Sequence, residues 1–198
     1  MNWNKKAQEV HRNAVEHGWW ETPRPIYEII NLCISELSEA LEEARAGRPM
    51  AYVARMKDSI VWGENPYYYE EDMRQWRSDE KPEGIATEMA DCIIRILDYM
   101  GTVGFSPEYF MAEAEKFYRP MEEAKNLILT IAHCELRLSQ AFSCSIYDSG
   151  IEAICIRMAG CLNLILKWAE ANDVDIERIL ELKHQYNTTR EYKHGKKF

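Results

Sequence analysis

From Pro25 to Gly47 the apolar residues fall at Ile26, Ile29, Ile30, Cys33, Leu37, Ala40, Leu41 and Ala44. That spacing is one stripe of an α-helix, closed by Gly47 and Pro49. A second stripe follows Lys81-Pro82, where a proline suits the first turn, and runs through EGIATEMADCIIRILDYMG to Gly101 or Gly104. Ser106-Pro107-Glu108 reads as the N-cap and first turn of a third helix. Strand signals are nearly absent. Helices with no sheet to lie on must bury their stripes against one another, so the expected fold is an all-α helical bundle. Residues 50–82, between the first two helices, are rich in aromatics and charge (WGENPYYYEEDMRQW) and hold no sustained period. We read them as an inserted loop, whose Tyr67-Tyr68-Tyr69 and Trp76 serve either as a lid over a ligand or as an oligomer contact.

The second half repeats the plan. An offset of 101 residues lays ELSEAL (36–41) on RLSQAF (137–142), and one of 69 lays EMADC (88–92) on RMAGC (157–161). The smaller offset also sets Phe105-Ser106-Pro107-Glu108 on Val174-Asp175-Ile176-Glu177, matching cap to cap. The two offsets differ by 32 residues, close to the length of the aromatic insertion. Three co-linear matches explained by one insertion point to an internal duplication. The expectation is one compact unit over 1–198, made of two tandem helical hairpins. The first repeat is 1–119, with its insertion at about 50–82; the second is 120–198, with the basic tail KHGKKF.

With 198 residues, 46% hydrophobic and 29% charged, the chain suits one soluble core. No apolar run approaches the ~18 residues of a membrane span. The first residues, MNWNKKAQEVHRNAVEHGWWE, lack the apolar segment of a signal peptide. Six cysteines form no CxxC pair and lie in apolar helical stretches, so they read as reduced, buried small hydrophobes. A cytoplasmic protein without a membrane partner is expected. A net charge of −9 argues against binding a polymeric nucleic acid. A nucleotide is still compatible with it, provided a divalent metal supplies positive charge.

Glu36 and Glu39 are spaced i, i+3 on one helix face, beside the apolar stripe. Glu88 and Asp91 repeat the spacing on the next helix, where Glu88, Asp91, Arg95, Asp98 and Thr102 form the only polar stripe. Two hairpin helices can aim four carboxylates at one point, and such a cluster needs protons or cations to neutralise it. All-oxygen donors suit hard ions such as Mg²⁺ or Mn²⁺. A single ExxE is more often a solvated helix face, with Asp91–Arg95 and Arg95–Asp98 as surface pairs. The second copy shifts the balance: at the four matched positions it has Arg137, Gln140, Arg157 and Gly160. A joint switch of all four fits one metal site kept and one lost, with the arginines either reaching a phosphate or, the favoured reading, forming internal salt bridges in the vacated place.

ExxE followed by ExxD, in the contexts SELSEALEEARAG and KPEGIATEMADCIIRILDYMG, resembles the MazG-like all-α nucleoside triphosphate pyrophosphatases. The tail KHQYNTTREYKHGKK resembles that family's Lys-x-x-x-Asn stretch, here Lys183 and Asn187. The resemblance covers nearly all the chain except residues 50–82. It implies that Glu36, Glu39, Glu88 and Asp91 bind Mg²⁺ and carry catalysis, and that the substrate is a nucleoside triphosphate split to monophosphate and pyrophosphate. The gap between the motifs is longer than usual for the family. The second copy without acids is similar to related dimeric dUTPases, in which one chain carries two unequal halves, so the molecule is either a monomeric pseudo-dimer or a homodimer.

Lys183 and Asn187, spaced i, i+4, share a helix face with Arg190 near enough to join them. Together they suit a triphosphate's phosphates. Alternatively they only complement a helix dipole, worth ~0.3–1 kcal/mol at an exposed site. Trp19 or Trp20 either stacks on a nucleobase or caps the core. His11 and His17 read as surface residues. Two rival functions are a ferritin-like di-iron carboxylate protein, suggested by Glu181-His184 and Glu191-His194, and a catalytically dead nucleotide-binding module. The first needs its Glu-x-x-His motifs on two different helices, whereas these lie ten residues apart.

Overall fold

The computed structural model describes residues 1–55, 59–61, 80–117 and 124–195. Seven helices are described: α1 (Trp3–Glu16), α2 (Ile26–Arg45), α3 (Ile85–Val103), α4 (Pro107–Phe117), α5 (Leu127–Ile146), α6 (Ile151–Ala171) and α7 (Ile176–Thr188). Three short strands, β1 (Tyr52–Arg55), β2 (Ser59–Val61) and β3 (Glu80–Glu83), and a 3-10 turn at Tyr192–Gly195 complete it. The fold is an all-α bundle with one small sheet. None of the described helices is long and apolar enough to cross a membrane.

Helix α2 packs on α3 and α5 on α6, and the two pairs meet through α2–α5 and α3–α6 contacts. Leu37, Met89, Leu97, Leu138, Met158 and Leu162 fill the space between them, each fully buried. Both offsets read in the sequence recur in the elements. Ile26 and Arg45 bound α2 as Leu127 and Ile146 bound α5, 101 residues on, and α7 begins at Ile176, 69 residues after the Pro107 that opens α4. The buried thiols obey them too. Cys33 and Cys134 differ by the larger offset and Cys92 and Cys161 by the smaller, and Cys134 Sγ donates to the Cys161 carbonyl at 3.7 Å. The helix after each hairpin then crosses over, α4 onto α6 and α7 onto α3. That exchange brings α7 to the acids of α3.

The N-terminal segment, assigned no element from the sequence, is helix α1. It buries Trp3, Ala7 and Val10, spaced i, i+4, i+7, and packs mainly on α3. Gly101 permits that approach, since a Cβ there would lie 2.6 Å from His11 Cβ and 2.8 Å from the Ala7 carbonyl oxygen. Side-chain caps open several helices: Asn2, Ser106, Asn126 and Asp175 each accept from a backbone N–H three residues on, at 2.8 to 3.1 Å.

The start of α3 differs from expectation. Pro82 is not in its first turn but in β3, which pairs antiparallel to β1 with Val53 opposite Pro82. The strand order β2-β1-β3 leaves β3 at an edge, where a proline costs no ladder hydrogen bond. The insertion is therefore not a plain loop in its described parts; its remainder, including Tyr67-Tyr68-Tyr69 and Trp76, lies outside the described residues. EKPE carries no strand propensity, and its pairing follows from how α3 is capped. Gly84 (φ +116°) turns the chain so that the carbonyls of Pro49 and Met50 accept from Ile85 and Ala86 N–H at 3.4 and 2.7 Å. A Cβ on Gly84 would sit 2.8 Å from the Met50 carbonyl oxygen, so only glycine fits. Glu88, one turn further on, is positioned by this cap.

Candidate metal centre

Carboxylate oxygens of Glu36 on α2 and of Glu88 and Asp91 on α3 all lie within 4.8 Å of one another. Glu36 is 6% exposed and Glu88 2%, with Asp91 half-buried at their side. The i, i+3 spacing of Glu88 and Asp91 sets both on the flank of α3 that meets α2. Glu39, expected as the fourth member, is not in this group. It is exposed on the rim, where its Oε1 accepts from Ser35 Oγ at 3.4 Å. Repulsion from the three clustered acids favours turning the one solvated carboxylate outward.

Two cations, a half-buried arginine and a buried lysine, balance the cluster. Arg95 donates to Glu36 Oε1 from Nε at 3.2 Å, with Nη2 at 3.1 Å. Lys183, reaching across from α7, places Nζ 2.8 Å from Asp91 Oδ2 and 3.9 Å from Glu88 Oε1, and donates to the Pro82 carbonyl of β3 at 3.1 Å. The free carbonyl of an edge strand thus becomes a lysine anchor. In the alternative reading of a solvated face, Arg95 pairs along its own helix; its bonded partner here stands on α2. Lys183 is 1% exposed, which removes the reading of an exposed side chain tuned to a helix dipole.

Burial dominates the titration of the acids. It pushes Glu36 up to about 7, helped by the charge of Asp91. It pushes Glu88 up to about 9, against the pull of Lys183, with a hydrogen bond to Glu83 that favours the protonated carboxyl. Burial would lower Lys183, but Asp91 and Glu88 outweigh it and hold the ammonium charged. Glu88 Oε1 has no hydrogen-bond partner. A buried acceptor without a donor, two further oxygens within reach and no nitrogen or sulfur donor in the group fit a hard divalent cation such as Mg²⁺.

The sign of the pH dependence follows. Between the ordinary 4.5 and about 9, the native metal-free chain binds more protons at these sites than the unfolded chain does. Its stability should therefore fall as pH rises through that window. Mg²⁺ affinity should rise over the same range, because binding displaces protons. Melting curves at pH 5 to 9 in EDTA check this; a curve whose slope Glu88→Gln does not flatten contradicts it.

Beside the cluster a cavity of about 40 Å³ lies between α1, α3 and α7, and Asn13, Trp19, Asp91, Asn187 and Arg190 all line it. Asp91, Asn187, Arg190 and Trp19 thus meet in one cleft. Asn187 is 9% exposed and its Oδ1 has no hydrogen-bond partner. Arg190 lies 5.7 Å over the Tyr186 ring, and Arg24 5.3 Å over that of Trp19. Trp20 does not line the cleft. Its Nε1 donates to both oxygens of Asp98, at 2.9 and 3.1 Å, so it anchors α1's exit to α3. His11 is not a plain surface residue either, with Nδ1 2.9 Å from Asp98 Oδ1. Asn13 carries no motif in the sequence and becomes a cleft residue only through the packing of α1.

The Glu181-His184 pair stands apart from the acidic cluster: Glu181 accepts from Lys6 at 2.9 Å, and burial pushes His184 below its ordinary value. The side chains of residues 194–198, His194 among them, lie outside the described ones. No protein-family model, no curated protein and no solved structure matches the chain.

Proposed function

We propose that this chain is a Mg²⁺-dependent nucleoside triphosphate pyrophosphohydrolase, converting (d)NTP and water to (d)NMP and pyrophosphate. One observation carries the reading: three carboxylates from α2 and α3 converge with a buried lysine from α7, the helix of the other hairpin. The resemblance of ExxE, ExxD and Lys-x-x-x-Asn to MazG-like enzymes supplies the reaction; the convergence supports it.

Glu36, Glu88 and Asp91 would hold Mg²⁺, or Mn²⁺, with Glu39 reaching in from the rim. When bound, the ion supplies positive charge for phosphate oxygens and acidifies a coordinated water. Lys183 is placed to pass its hydrogen bond from Asp91 to a phosphate oxygen, and Arg190 and Asn187 stand on the same side of the cleft for the rest of the nucleotide. Trp19 forms the cleft's aromatic wall. At about 40 Å³ the cavity takes a water rather than a base, so nucleotide binding must part α7 from α1. Six free, buried cysteines support a reducing compartment, and we place the protein in the cytoplasm.

Assayed against the ribo- and deoxyribonucleoside triphosphates, the purified chain should release pyrophosphate with Mg²⁺ and stop with EDTA. Mg²⁺ binding without turnover on any of them would make it a binding module and overturn the enzyme. Stoichiometric bound iron would favour the di-iron alternative.

A further inference from the structure

At the positions matching Glu36 and Glu88, the second hairpin carries Arg137 and Arg157, and the Glu39 position is Gln140. These three line a cavity of about 540 Å³ between α5 and the start of α6. The place equivalent to the acidic cluster is thus an open basic hollow. Internal salt bridging, expected from the sequence, is not what Arg157 does: its Nη1 donates to the Ala153 carbonyl of its own helix at 2.9 Å. Arg137 Nη1 donates to Gln140 Oε1 at 3.1 Å, which turns the amide N–H₂ of Gln140 toward other acceptors. Both arginines are half-buried residues.

The rest of the lining has the same sense. Ser143 and Ser149 add hydroxyls, and among the described lining residues Glu152 is the single acid beside two arginines. The first turn of α6 borders the hollow, and its N-cap, Gly150, offers no side-chain acceptor to the helix's first amides. The guanidinium groups, the Gln140 amide and the serine hydroxyls give this lining a set of donors. We propose that this cavity is a second, metal-independent site for a phosphate or diphosphate anion, free or as the phosphate end of a nucleotide. A cavity of this size exceeds a single phosphate, and the side chains of Ile156 and Phe117 give it an apolar wall. The site does not depend on the hydrolase reading. It would let the second hairpin sense an anion of the class that the first is proposed to produce.

The test is calorimetric titration of the full chain in EDTA with inorganic phosphate, pyrophosphate and a nucleoside monophosphate. Saturable binding near one site per chain is expected for at least one, weakening with salt. Tighter binding of the monophosphate than of both inorganic anions would identify the nucleotide as the source, and the reverse would identify the free anion. Arg157→Gln and Arg137→Gln should each weaken it at least ten-fold, and Arg157→Lys, which keeps the charge but not the fork, should weaken it less. Mg²⁺-dependent pyrophosphate release at saturating substrate should be unchanged in Arg157→Gln, which separates this site from the metal centre. Should the variants fail to fold, arginine modification by phenylglyoxal on the wild-type chain replaces them: pyrophosphate should protect Arg137 and Arg157. No binding of any of the three anions, binding that both Gln variants leave intact, or no protection would overturn the proposal.

Discussion

Glu88→Gln and Asp91→Asn should both abolish Mg²⁺-dependent pyrophosphate release, while moving the melting temperature of the metal-free protein in opposite directions. A bound metal contributes several kcal/mol of charge stabilisation in the transition state, so losing it amounts to roughly a thousand-fold in rate. The stability effects differ because the two acids do different work without metal. Glu88 is a buried carboxyl pushed up to about 9. A neutral amide in its place removes a group that disfavours folding at pH 8, and the melting temperature should hold or rise. Asp91 is the close partner of a lysine that is 1% exposed, at 2.8 Å. Breaking that pair leaves the Lys183 ammonium with the Pro82 carbonyl at 3.1 Å and Glu88 at 3.9 Å, and with no close carboxylate. One-sided removal from a buried pair costs up to ~3 kcal/mol, or about 5–10 °C in a chain of this size. Thermal melts in EDTA beside activity assays read both. A fall of equal size in the two variants would mean that the acids are ordinary structural partners.

Lys183 is the second large effect. Lys183→Ala should destabilise the fold by several kcal/mol, since it opens a hole and strips Asp91 of its partner. It therefore cannot by itself separate grip from structure, whereas Lys183→Met fills the volume without the charge. If the ammonium balances the acids in the free protein and transfers to phosphate in the complex, the methionine variant should bind Mg²⁺ more tightly and the nucleotide more weakly. The expected pattern is a lower metal dissociation constant with kcat/KM reduced roughly a hundred-fold. A role limited to packing would leave both constants near wild type. A role limited to charge balance would tighten Mg²⁺ and leave KM alone.

Much of this was legible in the residues, and the gaps have physical causes. The bounds of α2 and the end of α3 are local: an apolar stripe stops at Gly47 (φ +67°) and at Gly104 (φ +71°), residues free to turn left-handed. The cap at Ser106 is local too. Helix α1 escapes because only three of its five apolar residues, Trp3, Ala7 and Val10, share the buried face, a thin stripe held by packing on α3. The strand EKPE escapes because nothing in it favours a strand; it is paired where the capping of α3 leaves it. Within the site, Glu36, Glu88 and Asp91 were readable because i, i+3 spacing sets the face on one element. Arg95 to Glu36 and Lys183 to Asp91 run between helices, and no spacing along the chain encodes them. For Trp19 and Trp20 the sequence could not choose, and the partner of each decides: a cleft for one, Asp98 for the other.

The central claim is that the acids of α2 and α3 direct water to the α-phosphorus of a nucleoside triphosphate. Turnover in ¹⁸O-labelled water, with products identified by ³¹P NMR and mass spectrometry, tests it directly. The account predicts one ¹⁸O in the nucleoside monophosphate, none in the pyrophosphate, and no reaction in Glu88→Gln. Label in the pyrophosphate, release of orthophosphate and diphosphate instead, or the same products from Glu88→Gln would contradict it.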